Sequence, residues 1–207
     1  KLSKLAMLKN INLILENNKD YGSKISNDKY NIEFVSANPT GPMHVGHCRG
    51  AIFGDVLANL LKFNGNTVIK EYYINDYGNQ IDNFVESVFL RIKEIKFKEK
   101  FPVKDNLYPG QYIKEIAKKI LDKNKNINFD NYDKIFNFLK EKSLIESMEL
   151  IKNDLNSLGI SHDNFISETD LVNKDLVNKT VKKLIDRKFV EEGYLPPPKG
   201  EINENWK

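Results

Sequence analysis

The stretch from Asn31 to Ile74 constrains this chain more than any other, because it reads as strand, turn, helix and strand within about 45 residues. Asn31-Ile32-Glu33-Phe34-Val35 is a β-branched and aromatic run stopped by Ser36-Ala37-Asn38-Pro39, which predicts a strand feeding a turn. From His44 to Phe63 the residues Val45, Cys48, Ile52, Val56, Leu60 and Phe63 recur at steps of three and four. That spacing predicts a helix with one buried face, closed by Asn64-Gly65, with Val45 pointing into the core and anchoring the turn. Thr67 to Ile74 is a second strand, which Asn75-Asp76-Tyr77-Gly78 breaks before a further helix to about Lys93. Strands joined in this way are parallel, with a right-handed crossover. The turn carrying His44 and His47 then shares one carboxyl sheet edge with Asn75 and Asp76, and open α/β sheets bind ligands at that edge.

The flanking segments are helical in texture. Residues 4–18 place Leu5, Leu8, Ile11 and Leu15 at helical spacing, ending near Tyr21-Gly22. After about residue 95 the helices become lysine-rich. Tyr108-Pro109-Gly110 opens one that carries Ile113, Ile116, Ala117 and Ile120. A longer one carries Phe136, Leu139, Leu144, Met148, Ile151, Leu155 and Leu158 and is closed by Gly159. Both stripes read as packing faces. Phe165-Ile166-Ser167 predicts a short strand, and Ser167 to Asp170 a cap for a helix through Val172, Leu176, Val181, Leu184 and Ile185. Phe189-Val190-Glu191-Glu192-Gly193 reads as a strand end, and Leu195-Pro196-Pro197-Pro198-Lys199 as polyproline II.

The chemistry concentrates at Pro42-Met43-His44-Val45-Gly46-His47. A helix N-terminus offers unpaired N–H groups and a positive dipole end, and two histidines three residues apart share one face of the first turn. Glycine at position 46 removes a Cβ, so a flat base can lie against the backbone. These features suit a nucleotide phosphate site. Other readings of the same residues stand beside it. His44, His47 and Cys48 have zinc-like spacing, although a helix does not easily aim all three at one ion and Cys48 belongs to the apolar stripe. The histidines also fit a purely capping role, and Pro39-Thr40-Gly41-Pro42 a rigid turn.

Composition narrows the class. A formal charge of +3, from Lys+Arg 32 against Asp+Glu 29, does not by itself argue for nucleic acid. The single cysteine, Cys48, excludes an intramolecular disulfide and suits a reducing compartment. No apolar run approaches a membrane span and no signal-peptide core is present, so a cytoplasmic location is expected. A start at Lys1 and an end at Glu204-Asn205-Trp206-Lys207 suggest a piece of a longer protein.

The block from Glu33 to His47 closely resembles the first signature of class I aminoacyl-tRNA synthetases in its arginyl form. Arg49-Gly50-Ala51, Gly54-Asp55, Glu71 to Ile81, Tyr108-Pro109-Gly110 and Leu195 to Gly200 are similar to the bacterial branch of that family, in the same order. The resemblance implies an α/β fold, the first half of a Rossmann-like catalytic domain with a mostly helical connective insertion. It implies a division into the tail of an N-terminal domain with a linker helix (1–28), the first half of the catalytic domain (29–94), the insertion (95–190) and a return segment (191–207).

The activity implied is ATP-dependent activation of L-arginine and its transfer to the 3′-terminal adenosine of tRNA(Arg), with Mg2+ accompanying ATP, by a protein that is a monomer at full length. By position, His44 and His47 are the catalytic pair that steadies the phosphates, and Pro42, His44, Gly46 and His47 bind ATP, with Gly46 accepting the adenine. Glu33, Ser36, Ala37, Asn38 and His47 hold the amino acid. Asn75, Asp76 and Gln80 are supporting residues by the topology argument, or equally braces of their own turn. No metal-binding residues are expected. Lys1-Leu2-Ser3-Lys4 imitates the family's second signature, a lysine loop, but precedes the first and is read as the exit from an N-terminal domain. That loop, the residues gripping the guanidinium and the anticodon-binding domain are expected beyond Lys207, which would leave the isolated fragment inactive. Two further readings remain: a non-catalytic nucleotide- or RNA-binding module of synthetase origin, and a small nucleotidyltransferase. The Asn-Pro-Thr-Gly-Pro lead-in and the large insertion argue against the second.

Overall fold

In the computed structural model, which describes residues 2–24, 26–191 and 193, three parallel strands form one sheet in the order β1-β2-β3. They are β1 (Lys29–Glu33), β2 (Thr67–Ile74) and β3 (Asn164–Ser167). Glu33 pairs opposite Glu71, and Glu71 opposite Asn164, so β2 continues to Ile74 beside β3 after β1 has ended. β1 is displaced two residues upstream of the predicted Asn31–Val35. The cause is local: Val35 (φ 68°) and Ser36 (φ 40°) both sit in the left-handed region, unusual for a β-branched residue, and turn the chain away from the ladder. The Phe34 N–H makes the last bond to β2, donating to the Glu71 carbonyl at 3.2 Å.

Helix α1 (Lys4–Asn17) is capped by Ser3, whose Oγ accepts from the Ala6 N–H at 3.2 Å, and it buries none of its residues. Helix α2 (Val45–Phe63) links β1 to β2, and it corrects the predicted buried face. Val45 is 86% exposed and Val56 59%, with Ile52, Leu60 and Phe63 also outside. The residues that α2 buries are Ala51, Gly54 and Ala58, which are themselves spaced by three and four. Small side chains let the helix backbone lie close to the sheet: a Cβ on Gly54 would come within 2.3 Å of the Phe34 ring. Lys70 on β2 ties the same pair of elements, its Nζ lying 2.6 Å from Asp55 of α2.

Between β2 and β3 run α3 (Asn79–Phe97), α4 (Gln111–Lys123) and α5 (Tyr132–Ser157). Ile113, Ile116, Ala117 and Ile120 of α4 are all buried, as expected, in a cluster with Ile81, Phe84, Val85, Val88 and Ile92 of α3. The 26 residues of α5 span about 39 Å. Its Leu139 belongs to this helical cluster, while Met148, Ile151 and Leu155 belong to a second one with Phe34, Ala51, Tyr72 and Ile160 around the sheet. One helix therefore fastens the helical layer to the sheet. Leu158, expected in the stripe, is the C-cap and is exposed. Several lysines are held in ion pairs here, Lys119 and Lys123 both reaching the buried Glu146 across α4 and α5.

Contacts divide the chain into residues 1–168 and 169–207. A boundary at 94/95 falls inside α3. The single helix expected after Ser167 is two, α6 (Glu168–Asn173) and α7 (Leu176–Asp186), because Asp175 turns left-handed (φ 54°) between them. Residues 189–191 and 193 are not in a strand, contrary to the expected strand end; Lys188 has φ 59° and the chain turns there after α7. The polyproline segment at 195–199 lies outside the described residues. Among the described residues, no helix is long and apolar enough to cross a membrane.

Candidate active site

The turn that leaves β1 is held at nearly every step. Ser36 Oγ donates to the Glu33 carboxylate and accepts from the Tyr73 N–H at 3.0 Å, which locks the left-handed exit onto β2. The buried Tyr72 hydroxyl donates to the Ala37 carbonyl at 2.8 Å. The next three fixings come one from each helix of the helical layer. Asn38 donates to Gln80 of α3 at 2.9 Å, the Thr40 carbonyl accepts from Tyr112 of α4 at 2.9 Å, and the Met43 N–H donates to Asp154 of α5 at 3.2 Å. Asn75 adds a bond to Asn38 Oδ1 at 3.2 Å. Turn and helices thus form one support for the groups that follow.

His44 and His47 close the N-terminus of α2 as a reciprocal cap. His44 Nδ1 accepts from the Gly46 N–H at 3.1 Å, and His47 Nδ1 accepts from the His44 N–H at 3.3 Å. An imidazole whose Nδ1 accepts carries its neutral-form proton on Nε2. Both rings therefore keep an Nε2–H as the free donor, and they stack with centroids 3.7 Å apart. Burial, and secondarily the proximity of His44, holds the His47 pKa below the ordinary 6.5. At neutral pH His47 is an uncharged donor beside the positive end of a helix, an arrangement suited to phosphate oxygens on which negative charge grows.

These groups open onto a cleft of about 430 Å3. Of the residues predicted from sequence, Ser36, Ala37, Asn38, Pro42, His44 and His47 line it together. Glu33 reaches it through its bond to Ser36, and Asn75 and Gln80 through Asn38. Asp76 lies elsewhere: it accepts from Ser167 of β3 at 2.7 Å and borders a separate hollow with Ile74, Leu144 and Met148. At Gly46, a Cβ would lie 2.9 Å from the His44 ring, so the missing side chain makes room for the cap itself. Among the described residues, no group of three or more His, Cys, Asp or Glu is arranged to hold a metal ion. His162 packs among Phe34, Tyr72 and Phe165 instead.

Sequence reasoning missed Tyr108 and Tyr112, which also line the cleft, and Asp154, which fixes Met43. Two tyrosines flanking Pro109-Gly110 were a visible signal, whereas nothing near Asp154 in the sequence points back to residue 43.

Residues 10–194 match the family described as tRNA synthetases class I (R), catalytic domain. The chain is 55% identical over 199 residues to an arginine–tRNA ligase of Pelagibacter ubique, covering 95% of this chain and 34% of that protein. It is 49% identical over 181 residues to one of Wolbachia from Brugia malayi, covering 87% and 32%. The chain thus spans about a third of the length of the curated relatives it matches. An arginyl-tRNA synthetase structure assigned in Campylobacter jejuni superposes with a TM-score of 0.81 at 34% identity, over 93% of this chain and 42% of that one. The Thermus thermophilus arginyl-tRNA synthetase shares the fold, with a TM-score of 0.50 at 18% identity over 86% of this chain and 29% of that one.

Proposed function

Because the chain belongs to the class I tRNA synthetases, in their arginyl branch, we propose that its cleft serves arginine–tRNA ligation. The arginine carboxylate attacks the α-phosphate of ATP and pyrophosphate leaves; a hydroxyl of the 3′-terminal adenosine of tRNA(Arg) then attacks the arginyl carbonyl and AMP leaves. The observation that carries this reading is the meeting, in one cleft, of two Nε2–H donors at a helix N-terminus with the Ser36-Ala37-Asn38 segment. In this assignment the donors of His44 and His47, with the dipole of α2, stabilise the charge that develops on the phosphate oxygens. Pro42 and Gly46 border the nucleotide. Ser36, Ala37 and Asn38 hold the amino acid backbone, and Glu33 favours its ammonium group.

Asn75 and Gln80 act through Asn38, which they orient. In this reading Mg2+ accompanies ATP as part of the substrate. We further read residues 29–94 as the first half of the catalytic domain and residues 95–190 as the insertion, with exposed lysines toward the tRNA acceptor end, in a cytoplasmic monomer. The test is arginine-dependent exchange of pyrophosphate into ATP by the protein at its natural full length, with tRNA present. His47→Ala is expected to lower that exchange by about 100-fold or more, the scale of losing one preorganised donor. Exchange within a few-fold of the parent would refute the phosphate role.

A further inference from the structure

The segment Pro39-Thr40-Gly41-Pro42 lies between Asn38, fixed by Gln80, and Met43, fixed by Asp154. It is poor in groups that could anchor it. Pro39 and Pro42 have no N–H and Gly41 has no side chain, yet the segment must deliver His44 in register with the cap of α2. Tyr112 meets it there. Its hydroxyl donates to the Thr40 carbonyl at 2.9 Å, and the side chain lies close to two glycines. A Cβ on Gly41 would lie 3.1 Å from the tyrosine oxygen, and one on Gly110 only 2.3 Å from the ring.

The foot of Tyr112 is equally constrained. The Tyr108 N–H donates to Ser87 of α3 at 2.9 Å, Arg91 of α3 donates to the Pro109 carbonyl at 2.5 Å, and Ile113 and Ile116 of α4 are buried. The ring is therefore a rigid strut from the helical layer to the turn.

We propose that Tyr112 is a positioning residue for the phosphate side of the cleft, setting the Thr40-Gly41 turn and, through it, the paired imidazoles of His44 and His47. The proposal rests on the reading that this cleft holds ATP. A ring that served packing alone would not need its hydroxyl, whereas the bond to the Thr40 carbonyl does. Thr40 and Gly41 lead directly into the His44 cap, whereas Ser36 and Asn38 are held by bonds of their own to Tyr73, Gln80 and Asn75, so loss of the strut should be felt by one substrate more than by the other.

The experiment compares Tyr112→Phe and Tyr112→Ala with the parent in the full-length protein, by pyrophosphate exchange at varied ATP and varied arginine. Tyr112→Phe should lower kcat/KM for ATP by about five- to tenfold, the worth of one hydrogen bond, and leave KM for arginine within about twofold; Tyr112→Ala should lose more. The assigned imidazole proton signals, followed by NMR in the same proteins, give a readout that does not need activity. In Tyr112→Phe the His44 and His47 signals should move while that of His162 stays in place. Parental kinetics in Tyr112→Phe, an equal loss for both substrates, or unmoved His44 and His47 signals would overturn the proposal. Absence of arginine-dependent exchange in the parent would sink the ligase reading alone, leaving the imidazole signals to decide on Tyr112.

Discussion

In α4 every member of the Ile113, Ile116, Ala117 and Ile120 repeat is buried, whereas in α2 the large members of a comparable repeat lie outside and the helix meets the sheet through Ala51, Gly54 and Ala58. Spacing alone does not separate the two cases, since both helices recur at three and four. Side-chain size does. Helix packed on helix at the usual 8–10 Å leaves room for isoleucine. A helix seated over Phe34 and the strand exit needs the small face. The difference also divides labour: the large face of α4 supplies stability, and the small face of α2 brings its histidine cap close to the carboxyl edge of the sheet.

Truncation of side chains on the two helices should produce the largest difference between them. In the 207-residue chain, Ile116→Ala should cost about 2–5 kcal/mol in urea unfolding, for lost burial and a residual cavity, while Val56→Ala in α2 should stay within about 0.5 kcal/mol. Equal costs would mean that α2 buries its large face after all. Next in size, Gly54→Ala should cost about 1–3 kcal/mol by pushing α2 off Phe34, and Phe34→Leu in the same chain should recover part of it. Additive losses in the double variant would show that the two do not touch. Smaller again, Tyr72→Phe should cost about 1 kcal/mol, because the buried Ala37 carbonyl loses its donor; no change in thermal unfolding would count against that bond.

The smallest effect is on pH dependence. Burial keeps the pKa of His162 below 6.5, and burial with the neighbouring His44 does the same for His47. Below about 6.5 the unfolded chain therefore binds more protons than the folded one, so stability falls on acidification until the folded groups protonate as well. His162→Phe removes one of these contributions and should flatten the fall of stability on acidification below about 6.5. An unchanged slope would assign the acid sensitivity elsewhere.

Much of the fold was legible because it is written in local chemistry. β2 follows its β-branched run, α4 and α5 follow their stripes, and the parallel β1-β2 pairing follows from the length of the connection. The turn and its two histidines were equally visible. What escaped depended on partners distant in sequence or on backbone strain. The two left-handed residues that shorten β1 are held by Tyr73, and the burial of α2 depends on Phe34. Asp76 does not line the cleft, and its carboxylate accepts from Ser167, 91 positions away. Tyr112 and Asp154 join the site only because α4 and α5 fold back over residues 40 and 43.

Pyrophosphate exchange by the full-length protein, with tRNA present and each amino acid supplied singly, decides whether the proposed activation of arginine with ATP takes place in this cleft. Exchange is expected with arginine, and background levels with lysine and the others. Exchange that does not depend on arginine, or none with any amino acid, would contradict that proposal.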